Sequence, residues 1–240
     1  SDGMGFSLVP VDEEADWDDW QLAAQWRASS YVHGSPGVDD PPPPAFAPVL
    51  VTEALAHTDP PDVDTVELLN AGGSDVDLGG WLLTDDFFTP HKFRIPTGTV
   101  LTAGARLTFT EAQFNTPSNL PTSFLLGSSG EEVWLFSADA ATNLTGYYHG
   151  HTFGASPNGI TFVRHLNSAA EEHFVISSSN TRGAADAYPR VGPAVVTEIH
   201  APASSNLAFV EIANLTGAPL PLHDPAFPTN RWRLRGQVDY

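Results

Sequence analysis

The chain contains no cysteine. Disulfides are therefore excluded, and cysteine usage gives no clue to redox compartment. Basic residues are scarce: 10 Lys and Arg stand against 29 Asp and Glu, a formal net charge of −19 over 240 residues. Nucleic-acid binding needs a basic surface that displaces counterions, and anionic membranes attract polybasic segments. Neither partner fits this balance. No apolar run approaches the ~20 residues that cross a bilayer as a helix. Ser1-Asp2-Gly3 is not the basic start of a signal peptide. Helical periodicity is almost absent as well. What is plentiful is turn chemistry, with 20 Gly and 21 Pro, together with apolar residues that alternate with polar ones. That combination predicts an all-β protein.

The chain is organised around residues 66–85, VELLNAGGSDVDLGGWLLTD. Two alternating runs, VELLN and WLLTD, flank a turn at Ala71–Asp75 and a short strand, Val76-Asp77-Leu78, set between glycine pairs. Trp81 enters directly after Gly79-Gly80, where the backbone can turn sharply. Upstream lies VLVTEALA (49–56), and downstream come KFRIPTGTVL (92–101) and ARLTFTE (105–111). FLLG (124–127) and EEVWLFS (131–137) are joined by Ser128-Ser129-Gly130, a hairpin signal. TGYYHGHTFG (145–154), ITFVRHLN (160–167) and EEHFVIS (171–177) read as further strands, and 111–123 as a loop or brief helical turn.

Six segments carry a family resemblance: VLVTE (49–53), VELLN (66–70), VDLGGWLL (76–83), FRIPTGTVL (93–101), GARLTF (104–109) and GEEVWLF (130–136). In this order they resemble a lamin tail domain, over roughly 47–137. The resemblance implies an immunoglobulin-like β-sandwich. Such modules occur in nuclear lamins and in many secreted bacterial proteins.

A second pattern owes nothing to family. PAVVTEIHA (193–201) mirrors PVLVTEALA (48–56), with Thr52 and Thr197 an offset of 145 apart. FVEIANLTGAPLPL (209–222) mirrors TVELLNAGGSDVDL (65–78), with Glu67 and Glu211 an offset of 144 apart, and Trp232 answers Trp81. At the other end, SPGVDD (35–40) resembles TRGAAD (181–186), and GFSLV (5–9) resembles GITFV (159–163). A period near 145 predicts tandem repeats. The expected division is 1–46 as the end of a preceding repeat plus a Pro-rich linker, 47–189 as a complete sandwich, and 190–240 as the start of a following repeat. The linker contains the four prolines 41–44, which favour an extended chain.

No catalytic set emerges. Gly154–Gly159 lacks the final glycine spacing of a nucleophile elbow, since Asn158 stands in its place. His149 and His151 share a strand face, as zinc ligands at i and i+2 can, but spacing suggests no third ligand. Glu53 and Glu67 lie inside apolar strands and need partners. With Asp59, Asp62 and Asp64 they form the one cation site worth naming, and calcium suits such oxygen-rich loops. The spacing D-P-P-D-V-D is not that of a calcium loop, and APASSNLA (201–208) holds no Asp in the corresponding place. No cofactor is expected. Trp81, Trp134, Phe93 and Phe109 alternate as core aromatics do. Trp17, Trp20 and Trp26 sit among acids, where exposure or packing between domains is expected.

The expected function is a non-catalytic β-sandwich module of a secreted or surface multidomain protein, extracellular or cell-surface, serving adhesion, spacing or protein contact. Its partners would be an unidentified protein or cell-surface component and other domains of the same longer chain. The resemblance carries an alternative: an accessory part of a secreted nuclease, phosphatase or spore-coat-type kinase whose active site lies elsewhere. Nuclear lamin tails bind proteins and DNA, but this chain lacks a basic surface and a coiled-coil rod.

Overall fold

Fifteen strands alternate with turns through the described residues of the computed structural model, which are 5–42, 45–118, 120–200, 208–223, 225–229, 231–232 and 234. The sequence comparison at 201–207 lies outside them. The chain divides into two compact units, Ser1–Pro189 and Arg190–Tyr240.

The first unit begins with a hairpin, β1 (Phe6–Pro10) and β2 (Trp26–Val32), joined through two 3-10 turns. There follow β3 (Val49–Leu55), β4 (Thr65–Asn70), β5 (Val76–Asp77), β6 (Leu82–Thr84), β7 (Phe93–Arg94), β8 (Val100–Leu101) and β9 (Arg106–Thr110). One helical turn, α1 (Glu111–Phe114), is closed by a capping box between Thr110 and Gln113. Then come β10 (Gly130–Ala138), β11 (Leu144–Gly154), β12 (Phe162–Leu166) and β13 (Glu172–Ile176). A five-stranded sheet of order β13-β12-β3-β4-β9 and a four-stranded sheet of order β11-β10-β6-β7 share one core, so the unit is an antiparallel β-sandwich of immunoglobulin-like type.

Alternation decides which side chains enter that core. Val49, Val51, Val66, Leu68 and Phe109 from one sheet meet Leu83, Val133, Leu135 and Phe153 from the other. A β-bulge between Val51 and Glu53 inserts Thr52 as an extra residue, so that Ala54 and Ala56 continue the inward row. Thr52 and Glu53 are thereby both available to the opposite face. Trp81 is half-buried rather than fully enclosed. It packs against the core edge, 6.0 Å from the ring of Tyr147.

The four-stranded sheet is apolar on its outward side too. Leu82, Phe87, Phe136 and Ala138 form a separate cluster, with Trp134 and Leu144 against it. Thus the four aromatics expected in the core divide: Phe109 is buried there, Phe93 and Trp81 border it, and Trp134 joins the outward cluster. Trp17 is exposed, while Trp20 and Trp26 pack edge to face.

Among its described residues, the second unit contains one hairpin, β14 (Ala194–His200) and β15 (Phe209–Asn214). Trp232 is half exposed.

Candidate functional site

Two polar clusters and one aromatic surface in the first unit could carry function. The first cluster lies on the outer face of the five-stranded sheet. The bulge sets Glu53 opposite Glu67 on β4, and neither side chain reaches solvent. Two buried carboxylates at this distance need donors. Thr181 supplies both its backbone N–H and its hydroxyl to Glu53, at 3.0 and 2.9 Å. Glu67 accepts from the Thr52 hydroxyl at 2.9 Å, from the Gly183 amide at 2.5 Å and from the Arg106 guanidinium at 2.5 Å. Arg106 also holds Asp186 at 2.9 Å. Gly183 has a φ of +81°, the left-handed region that lets the loop present its amide inward. Burial pushes the Asp186 carboxyl up, against the pull of Arg106.

Glu53, Glu67 and Asp186 bring three carboxylate oxygens close enough for one metal ion. Arg106 already provides the cation between two of them, so the arrangement reads as a buried ion-pair network. Of the acids expected to share a cation, only Glu53 and Glu67 come together. Asp64 turns to the Thr58 hydroxyl and the Leu126 amide at 3.0 Å each, and its carboxyl is pushed up by burial. Asp59 accepts from the Asn158 side chain at 2.7 Å, and Asp62 is exposed.

The second cluster joins the two sheets. His149 and His151 flank Gly150 on β11, where a side chain would strike the Val133 carbonyl and Trp134 on β10. Their common partner is Glu172 on β13, whose Oε1 lies 2.9 Å from His149 Nε2 and 3.2 Å from His151 Nε2. Spacing along β11 gave no third residue because Glu172 arrives from another sheet. Three such groups can surround a metal. The hydrogen bonds argue otherwise. The Val51 amide donates to His149 Nδ1 at 2.9 Å, which leaves the ring hydrogen on Nε2, aimed at Glu172. Arg164 Nε donates to the other oxygen of Glu172 at 2.5 Å. His151 stacks on Phe174 with ring centroids 4.4 Å apart. Burial pushes the His149 imidazole below its ordinary value, and burial followed by the neighbouring His149 pushes His151 down to about 4. Both rings are neutral at physiological pH, and the cluster serves as a hydrogen-bonded clasp between sheets.

The outward aromatic cluster has Phe87 at its centre. Its ring lies 5.0 to 5.4 Å from those of Trp134, Phe88, Phe136 and Tyr148. Phe88 is 78% exposed and Tyr148 42%. Beside it is an acidic depression of about 520 Å3 lined by Asp85, Asp86, Glu131, Glu132 and Thr152, with Lys92 its one cation. Glu132 ties rim to patch: it accepts from the Phe87 amide and from Trp134 Nε1, at 2.9 Å each. The sequence named Trp134 but not this surface, since Phe87 and Phe88 belong to the loop after β6.

An antiparallel sandwich whose buried charges are all engaged in structural bonds is a scaffold of the immunoglobulin-like class. Residues 42–151 match the family model described as Lamin Tail Domain, and this part of the chain is a lamin tail domain. Domains of this family are non-catalytic modules in general. The match ends within β11, so β12, β13 and the 181–186 loop complete the sheet and cap its acids beyond it. No curated protein and no solved structure matches the chain.

Proposed function

We propose that the chain is a non-catalytic module of a secreted or surface-attached multidomain protein and that it works by protein contact through the outward face of its four-stranded sheet. The observation that carries this reading is the Phe87 cluster. A sandwich needs an apolar face only toward its own core, whereas here Phe88 and Tyr148 continue the apolar surface into solvent. Asp85, Asp86, Glu131 and Glu132 border it. An aromatic anchor with an acidic rim favours a partner segment that offers an apolar side chain beside a Lys or Arg. A net charge of −19 suits a soluble life outside the cell, where it opposes nonspecific adhesion to anionic polymers.

The test uses the fluorescently labelled chain and intact cells of the organism that makes it. Labelled chain should bind the cell exterior, and surface proteolysis should abolish the binding. Phe88→Ser should weaken it at least about tenfold while leaving the thermal melt unchanged. Binding that Phe88→Ser leaves intact, or native protein found only inside cells, would contradict the reading.

A further inference from the structure

A cavity of about 890 Å3 lies in the first unit, away from the two polar clusters. Two turns and two further side chains build it. One turn is the end of β2. The His33 amide donates to the Gly5 carbonyl at 2.6 Å, and the Gly34 amide to the Tyr31 carbonyl at 3.0 Å. These bonds carry the chain through two successive left-handed residues, His33 at a φ of +75° and Gly34 at +76°. For a histidine that conformation is uncommon. It leaves the Tyr31 ring 60% exposed, and the His33 ring has no partner among the described residues.

The other turn joins β10 to β11, and Asp139 organises it. Asp139 Oδ1 accepts from the Ala141 and Asn143 amides at 2.8 and 2.9 Å, and Oδ2 from the Asn143 side chain at 2.9 Å. The bond from the Asn143 side chain leads in holding the Asp139 carboxyl below its ordinary value. Both carboxylate oxygens are thus occupied by the turn itself. With Nδ2 directed at Asp139, Asn143 keeps Oδ1 as an acceptor. Thr142 beside it has a φ of +68°, a rare conformation for a β-branched residue. Its carbonyl accepts from His91 Nε2 at 3.0 Å, which leaves Nδ1 of a neutral His91 ring as a second acceptor. Phe46 adds an aromatic face, 36% exposed and braced by Tyr147 with ring centroids 5.7 Å apart.

Among the described residues the lining holds no Asp, Glu, Lys or Arg, in a chain with 29 acids. A charged ligand would meet no counter-ion there, and the net charge of −19 would repel an anion. A purely apolar ligand would cover the Asn143 and His91 acceptors without bonding them. A pyranose ring meets both conditions, since its C–H face packs on an aromatic ring while its hydroxyls donate at the rim. We propose that this cavity binds a neutral oligosaccharide. Tyr31 and Phe46 supply the platforms, Asn143 Oδ1 and His91 Nδ1 accept from sugar hydroxyls, and the Tyr31 hydroxyl and the His33 ring complete the bonding. The volume lies within the ~300–1,000 Å3 of small-molecule sites. The left-handed backbone at His33 and Thr142 fixes one side chain group on each wall, as at other ligand clamps. Leu144 lines the cavity and also packs against the Phe87 cluster, so the sugar site adjoins the protein-contact face without being part of it.

A glycan array tests this with the labelled full chain. The array carries neutral oligosaccharides of glucose, galactose, mannose and N-acetylglucosamine beside sialylated and uronic-acid ones. The chain should bind at least one neutral series and none of the acidic glycans. Calorimetry with the best neutral oligosaccharide then measures the variants. Tyr31→Ala removes an exposed platform, and His33→Gly removes a ring while suiting the left-handed backbone, so both should leave the melt unchanged. Each should weaken binding at least about tenfold. Tyr188→Ala, at an 82% exposed tyrosine outside the cavity, should leave it unchanged. A chain that binds no neutral glycan at about millimolar concentration overturns the proposal. So does binding confined to acidic glycans, or neutral-glycan binding that Tyr31→Ala and His33→Gly leave intact.

Discussion

The Val51 amide on β3 donates to His149 Nδ1 on β11, a 2.9 Å bond that runs from one sheet of the sandwich to the other. It requires a neutral imidazole, and His151 beside it is held neutral by burial down to about pH 4. The consequence for stability has a definite sign. An unfolded histidine takes up a proton near its ordinary value of about 6.5, before the folded one does. Stability is therefore full above that value, falls as pH drops through it, and levels off near the folded value. A loss of about 1–2 kcal/mol between pH 7 and pH 4 is expected from this pair, after allowance for partial exposure. Denaturant melts across that range check it, and His151→Phe should remove part of the slope while keeping the stack on Phe174.

Arg106 is the counter-charge for Glu67 and Asp186 at once. Arg106→Met keeps the stem and removes the charge, leaving Glu67 buried with a carboxylate next to a second acid. Breaking one side of a buried ion pair costs about 3–5 kcal/mol. Urea melts should show that loss at pH 7, and Arg106→Met with Glu67→Gln should recover part of it. A loss below about 1 kcal/mol would mean that the loop amides suffice.

Trp81→Ala should cost about 2–3 kcal/mol, less than a fully enclosed aromatic, because one side of the ring faces solvent beside Tyr147. Trp232→Ala, at a half-exposed position in the second unit, should change the main melt by less than about 0.5 kcal/mol. Equal effects would place the two tryptophans in equivalent surroundings.

Calcium is expected to bind only diffusely. Asp59 and Asp64 point to separate partners, Asp62 is exposed, and Arg106 stands where an ion between Glu67 and Asp186 would sit. A calorimetric titration should show no saturable event at micromolar calcium, and Asp62→Asn should leave the heats unchanged. A stoichiometric event lost in Asp62→Asn would contradict this.

Much of the sandwich was legible because alternation writes faces directly: VELLN and WLLTD place their inward rows without a structure. The bulge at Thr52 was not, since a one-residue insertion leaves local composition unchanged. Nor were the partners of the buried acids. Thr181 and Gly183 are 128 and 116 residues from the glutamates they serve, and only topology brings them together. Glu172 was hidden from His149 for the same reason. The strand β2 fell inside an acidic, tryptophan-rich stretch whose turns masked it. The outward aromatic cluster was obscured by Trp134 and Phe136 lying on the opposite face of β10 from Val133 and Leu135, so that both faces of the strand read as core.

Burial between two sheets, rather than anything in the hairpin sequence itself, is what makes this lamin tail domain a rigid platform. Backbone amide exchange tests that directly, because β3–β4 and β14–β15 are nearly the same hairpin in two surroundings. Amides of Val51 and Leu68 should exchange only through global unfolding, at least about 100-fold more slowly than those of Val196 and Ile212. Equal protection of the two hairpins would contradict the account.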